Sequence, residues 1–342
     1  MIDKARIPIG QHSGLWSPRR YFQVISMKVC IALLAGLFSS VIACQGHSTQ
    51  PNSEDGQTNT VQTSDTSAQY RHTQVFTLSD VHYTAADSVR VRQLLAKPMT
   101  GSTGSDVLFF ARQFIGIPYV AHTLEVADPE RLVVNLRQMD CTTLVETVLA
   151  LTLTKRQGSS SFTDFCQNLM NIRYRKGVMR GYLSRLHYFT WWMHDAEQKG
   201  ILFDSCNGQP HATKPIVIDN HYMSSHHEAY KILRNHPEWV DSIHSMELAE
   251  NGPDGYYIPE KFTALDRSKL TEVHDGDIVA IVTTKPGLDY SHLGFAAWGK
   301  DGQLHLLNAS MVYKRVVEDK VTLFNYLQKR KTSIGIRTLR LR

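Results

Sequence analysis

Asp140-Cys141-Thr142-Thr143-Leu144-Val145-Glu146 sets a thiol where a turn gives way to a strongly apolar run that continues to Leu153. The run reads as a helix over 141–154, with Asp140 as its N-cap. A cysteine in a first helical turn lies beside unpaired backbone N–H groups and the positive end of the macrodipole, and both favour thiolate over thiol. His292, in Asp289-Tyr290-Ser291-His292-Leu293-Gly294-Phe295, opens a predicted strand 151 positions later. Asn308 follows in Leu306-Leu307-Asn308-Ala309-Ser310. A cysteine on a helix, then a histidine, then a polar orienting residue on later strands is the order of a nucleophilic hydrolase site.

The first 44 residues do not read as fold. Met27-Lys28 precedes an apolar stretch from Val29 to Phe38, and Ser39-Ser40-Val41-Ile42-Ala43 leads to Cys44. A charged start, a short apolar region and a small residue before a cysteine describe a bacterial lipoprotein signal, with Cys44 as the lipid-bearing residue; the alternative is an ordinary signal peptide with Cys44 incidental. The apolar region is shorter than the roughly 20 residues a membrane-spanning helix needs. A signal starting at Met27 has the usual compact form, so residues 1–26 read either as a long basic n-region or as the product of a wrongly assigned start, and the compact form favours the latter. Gln45 after the cysteine points to the outer membrane, on its periplasmic face. Five basic residues (Lys4, Arg6, Arg19, Arg20, Lys28) and one acid (Asp3) lie before Cys44, so the formal charge of +5 becomes +1 once they are removed. That leaves no basic footprint for nucleic acid.

Residues 45–72 are polar and rich in Ser, Thr, Gln, Asn and Asp, a composition that cannot offset ordering entropy and reads as a flexible tether. Residues 73–342 suffice for one large domain. Further helices are predicted over 105–115, 162–174 and 187–199, and strands over 277–284, 292–298, 303–309 and 334–341, with a short helix near 322–330. Helices first and a mostly antiparallel sheet after is an α+β arrangement. Residues 207–262 read as irregular, an insertion that could shape a groove. Cys166 and Cys206 could pair in an oxidising compartment, or Cys166 could be a buried helical thiol. Trp191 and Trp192 read as core.

DCTTLVE and SHLGFAAW, with Gly116-Ile117-Pro118-Tyr119 upstream, resemble the NlpC-type branch of papain-like cysteine peptidases, which cut bacterial cell-wall peptides. The stretches Leu183-Ser184-Arg185-Leu186-His187-Tyr188-Phe189-Thr190, Gly276-Asp277-Ile278-Val279, Gly287-Leu288-Asp289 and Leu307-Asn308-Ala309-Ser310 are similar to a secreted amidase family within that branch. Its members cleave the bond between N-acetylmuramic acid and L-alanine. The resemblance covers roughly 75–342. It implies a papain-like (NlpC-type) α+β fold, with the nucleophile-bearing helix packed on an antiparallel sheet and with helical and loop insertions. It implies Cys141 as nucleophile, with His292 holding the thiolate as an ion pair and protonating the leaving amine. Where the family pattern often has a histidine in a His-Ala-Ser run, this chain has Asn308, whose carboxamide oxygen can accept an imidazole N–H. His305 would point to the opposite strand face. Tyr119 matches a tyrosine facing the nucleophile. Arg185, His187 and Tyr188 are candidates for binding stem-peptide carboxylates, and Asp289 and Ser291 for lining the groove.

The resemblance implies peptidoglycan fragments as substrate and no cofactor. His221, His226, His227 and Glu228 do not have the His-Glu-x-x-His spacing of a metal helix, and no metal is expected. Two other readings stay open on the sequence: an endopeptidase of the same fold cutting within the stem peptide, and a non-catalytic lipoprotein that binds wall fragments.

Overall fold

The computed structural model describes residues 76–98 and 101–342. The predicted signal segment, the Cys44 lipidation site and the polar tether lie outside them. After a short strand β1 (Val81–His82), helix α1 (Ala85–Leu95) opens with a capping box in which Thr84 and Asp87 satisfy each other's backbone N–H. Helix α2 (Thr103–Arg112) follows, then strand β2 (Leu132–Val133), which pairs in parallel with β1. Helix α3 (Cys141–Arg156) is buried continuously from Thr143 to Thr152. A helix apolar on most of its circumference must be enclosed by other elements. Helices α1, α2 and α4 (Phe162–Arg173) surround α3, and the sheet closes over it. Helix α5 (Phe189–Gln198) and strand β3 (Leu202–Asp204) complete the N-terminal half.

The region expected to be irregular, 207–262, is ordered into strand β4 (Lys214–Ile218), helices α6 (Tyr222–Ser225), α7 (Lys231–Asn235) and α8 (Val240–Glu250), and strand β5 (Gly252–Pro259). Physical reasons explain the difference. Helix α8 buries only Ile243 and Glu247, so it carries no apolar stripe. Strand β5 begins Gly-Pro-Asp-Gly, residue types depleted in strands, so its sequence reads against one.

The C-terminal half supplies β6 (Ile278–Thr283), β7 (Tyr290–Trp298), β8 (Leu304–Ser310), β9 (Arg315–Thr322), helix α9 (Leu323–Gln328) and β10 (Ser333–Leu341). The eight-stranded sheet runs β4-β5-β10-β6-β7-β8-β9, with β3 pairing to the end of β10, and its pairings are antiparallel. β9 was not expected: its charged sequence, Arg-Val-Val-Glu-Asp-Lys-Val-Thr, suits an edge that must stay soluble. β6 is buried on both faces, as an unbroken apolar strand must be. Ile278, Ala280 and Val282 join the core shared with the helices, while Val279 and Ile281 pack with Leu270, Leu306 and Leu327. The architecture is therefore mixed α/β with an antiparallel sheet, and the helix begun by Cys141 packs against β7 and β8. Cys166 and Cys206 are free, buried thiols; Cys206 accepts a hydrogen bond from the Thr338 N–H at 3.1 Å. Trp191 and Trp192 lie in the core. Among the described residues no helix is long and apolar enough to cross a membrane.

Candidate active site

Cys141 is the first residue of α3, and its position is fixed from both sides. Behind it, the Asp140 carboxylate accepts the Thr143 N–H at 2.8 Å, and the Thr143 hydroxyl accepts the Asp140 N–H at 2.9 Å. Ahead of it, the Gly116–Tyr119 loop runs beside Met139: Met139 N–H donates to Pro118 O at 3.1 Å and Val120 N–H to Met139 O at 3.0 Å. Glu146, one turn on, lies inside the protein, bonded to Arg173 at 2.8 Å with each side chain 2% exposed. It holds α3 to α4 and takes no part in the site.

His292 and Asn308 meet because of strand alternation. Phe295 on β7 faces Leu307 on β8, so His292 and Asn308, at odd offsets from that pair, share the opposite sheet face. His292 Nε2 and Asn308 Oδ1 are 3.0 Å apart, and Asn308 is fully buried. The carboxamide nitrogen donates to Leu306 O at 3.3 Å, so the oxygen faces the imidazole. A carboxamide oxygen only accepts, so Nε2 carries the hydrogen and Nδ1 is left as the acceptor. His305 is engaged elsewhere, with Asp319 O at 2.9 Å and Asp301 at 3.3 Å. Gly294 makes the strand approach possible: a Cβ there would lie 2.7 Å from Leu307 O.

β7 meets Cys141 directly. The Leu293 N–H and the Thr142 backbone and side chain hydrogen-bond the sulfur and lower its pKa, but burial and the Asp140 carboxylate outweigh them and push the thiol up to about 11. Burial likewise pushes the His292 imidazole down; the bond to Asn308 opposes this, and the Arg330 charge reinforces it. The sequence had suggested a thiolate made by the helix macrodipole, an effect of about 0.3–1 kcal/mol near a surface. In the folded protein burial acts on both groups toward their neutral forms. A neutral imidazole whose Nδ1 carries no hydrogen has the chemistry of a general base, and a thiol lines the same cavity.

Two cavities meet at this histidine. One, of about 180 Å³, is lined by Cys141, His187, Tyr188, Met223, Asp289 and His292. The other, of about 220 Å³, lies beyond His292 and is lined by Lys285, Ser310, Tyr326, Arg330 and Thr332. Ser291 and His292 belong to both. The Tyr326 ring stacks beside the imidazole with centroids 6.3 Å apart.

The other predicted residues fall in distinct places. Tyr119 is half-buried, and its hydroxyl is pushed up to about 12 by burial and by the neighbouring Cys141 and Asp140. His187 lines the first cavity; its Nε2 lies 2.9 Å from Tyr182 O, and burial with the Arg185 charge pushes it down to about 3, so it is neutral. Tyr188 lines the same cavity, but its hydroxyl is spent on Glu247 at 2.7 Å and on the Met223 N–H at 2.8 Å. Arg185 is 5% exposed, 3.6 Å from Glu130 and stacked over Tyr182, and it lines neither cavity. Of the residues expected to hold stem-peptide carboxylates, Arg185 thus stands off both cavities and Tyr188 lines one with its hydroxyl already bonded. Asp289 accepts from the Thr190 N–H at 2.8 Å and the Thr190 hydroxyl at 2.9 Å, and so caps α5, whose own N-cap Tyr188 makes no side-chain cap. Ser291 donates to Ile281 O at 3.4 Å. Among the described residues no three His, Cys, Asp or Glu side chains are grouped to hold a metal. Tyr326, Arg330 and Lys285 were not singled out from the sequence. They come from a short helix, the segment after it and a turn, and nothing in their spacing ties them to His292.

A family model described as AmiA-like, N-acetylmuramoyl-L-alanine amidase-like, matches residues 109–336. Among solved structures, an N-acetylmuramoyl-L-alanine amidase from Bacteroides uniformis is 41% identical with a TM-score of 0.66, covering 71% of this chain and 100% of that one. A Bacteroides fragilis protein assigned as a candidate xylanase is also 41% identical, with a TM-score of 0.64 over 68% of this chain and 100% of its own. A Legionella pneumophila protein, 23% identical with a TM-score of 0.60 over 75% of this chain and 94% of its own, shares the fold. No match is found among curated proteins.

Proposed function

The chain belongs to the N-acetylmuramoyl-L-alanine amidase-like family, and from that premise we propose that it hydrolyses the N-acetylmuramoyl–L-alanine amide of peptidoglycan fragments through a cysteine acyl-enzyme on a papain-like, NlpC-type framework. The observation that carries the reading is the His292–Asn308 bond at 3.0 Å, which leaves Nδ1 as a base in the cavity that Cys141 also lines. Cys141 Sγ attacks the lactyl carbonyl carbon while its proton passes to His292 Nδ1. The Cys141 N–H, one of the unpaired donors of the first turn of α3, stabilises the oxyanion. Collapse breaks the C–N bond, and the L-alanine nitrogen leaves with the proton from His292. Water then gives a proton to His292 and attacks the thioester; the departing sulfur recovers that proton as the muramoyl carboxylic acid forms. Asn308 keeps the imidazole in the required tautomer and stabilises the imidazolium. Tyr119, beside the sulfur, borders the nucleophile. No cofactor enters the reaction.

The sequence of residues 1–44 supports a second part of the proposal, a lipid on Cys44 that anchors the domain to the periplasmic face of the envelope through the tether 45–72. Metabolic labelling with a radioactive fatty acid should mark the wild type and leave Cys44→Ser unmarked; equal labelling would remove this part.

Mass spectrometry of a purified anhydromuramoyl-tetrapeptide incubated with wild type and with Cys141→Ala tests the reaction. Free tetrapeptide released by the wild type alone is the expected result. A cut inside the peptide would make the protein an endopeptidase, and binding without cleavage would make it a fragment-binding protein.

A further inference from the structure

We propose that Lys285 and Arg330 form the subsite for stem-peptide carboxylates, so that the peptide lies in the cavity beyond His292 and the muramoyl group in the cavity beside Cys141. The assignment rests on the amidase reading and gives the substrate a direction.

The chemistry of the leaving group fixes one end. The departing nitrogen must take its proton from His292, so the amine side of the scissile amide extends toward and past the imidazole. The cavity of about 220 Å³ begins at His292 and does not include Cys141 among its walls. Charge fixes the other end. The first cavity offers Tyr188, Phe189, Met223 and the neutral His187, with one carboxylate, Asp289, and no cation. The cavity beyond His292 has Lys285 and Arg330 in its lining and no carboxylate. Among the described residues neither cation makes an ion pair. A stem peptide carries free carboxylates, including the α-carboxylate of a glutamate linked through its side chain. An anion of that kind finds no cation in the lining of the first cavity and two in the lining of the second.

Arg330 is also held for the purpose. Its guanidinium lies 3.6 Å over the Tyr326 ring, and Nη1 donates to Tyr326 O at 2.9 Å, which leaves Nε and Nη2 to a ligand. Tyr326 in turn stacks against His292, so the cation and the base share one support. The Arg330 charge reaches His292 and disfavours its protonation. A carboxylate bound to Arg330 would offset that field and strengthen the base when substrate is in place.

The experiment compares kcat and KM of the full chain on N-acetylmuramoyl-L-alanyl-D-isoglutamate and on its isoglutamine counterpart, which lacks the α-carboxylate. The wild type should prefer the carboxylate substrate in kcat/KM by about tenfold, chiefly through KM, as expected for charge-assisted bonds at a partly exposed site. Lys285→Gln and Arg330→Gln should each erase much of that preference, and Arg330→Lys should restore most of it. A preference unchanged in these variants, or rates that fall equally on both substrates, would overturn the assignment and leave the amidase reading intact. Failure of the wild type to cleave either substrate would overturn the amidase reading and this assignment with it.

Discussion

Replacing Asn308 should change the rate and the pH profile together, and in opposite directions for two substitutions. The Asn308 carboxamide is fully buried and makes one bond of consequence, from His292 Nε2–H at 3.0 Å. While the imidazole is neutral the bond selects the tautomer; once it is protonated the bond becomes charge-assisted. Charge-assisted bonds contribute about 1.5–3 kcal/mol, so Asn308→Ala should lower kcat/KM by about 10- to 150-fold. The bond raises the His292 pKa against the larger lowering by burial. Its loss should therefore move the acidic limb of kcat/KM to lower pH, because that limb reports the free enzyme's base. Asn308→Asp places a carboxylate against the same nitrogen, favours the imidazolium and should move the limb to higher pH. Steady-state kinetics on a muropeptide across the pH range, with thermal melts to show that each variant is folded, reads both effects. A kcat/KM unchanged in Asn308→Ala, or limbs that move the same way in both variants, would refute the orienting role.

Other consequences follow from the packing around the site. Glu146→Ala should cost about 3–5 kcal/mol in denaturant unfolding, since it leaves Arg173 buried and uncompensated; Glu146→Met with Arg173→Met should recover much of that. Gly294→Ala should destabilise by about 1–3 kcal/mol, because its Cβ would press on Leu307 O and the Leu306 side chain. His194 lies 2.9 Å from Asp254 and 3.4 Å from Glu250, while Arg337 and Arg175 hold the same two carboxylates, and the bond to Asp254 raises the His194 pKa above 6.5. Its contribution to stability should be complete below pH 6.5 and lost as pH rises through the raised value. Unfolding curves across that window should show the loss in the wild type and a smaller one in His194→Gln.

The elements that carry the chemistry were the most legible in the sequence. Asp140 before an apolar run announced the start of α3, and β6, β7, β8 and β10 announced themselves through runs of apolar residues between turn signals. Asn308 was picked out by its place after Cys141 and His292 and by its acceptor oxygen, and strand alternation, which set His305 aside, is also the relation that brings Asn308 to His292. Elements whose residues face solvent on most sides were missed: α8 buries two side chains, and β9 is a charged strand at the sheet edge. Arg185 shows a different limit. An arginine in a motif looks the same whether it faces a ligand or, as here, Glu130 in the interior. For Cys141 the helix start that favours a thiolate is visible in the sequence, whereas the burial that opposes it is not.

The proposed reaction passes through a thioester between Cys141 and the muramoyl group, and partitioning with hydroxylamine tests that intermediate most directly. Wild-type enzyme would be given muramoyl-dipeptide and muramoyl-tetrapeptide in the presence of a fixed hydroxylamine concentration, with muramoyl hydroxamate and muramic acid quantified by mass spectrometry. Both substrates form the same thioester, so the ratio of hydroxamate to acid should be identical for the two, and Cys141→Ala should form neither product. Turnover without hydroxamate, or a ratio that changes with the leaving peptide, would contradict a common acyl-enzyme on Cys141.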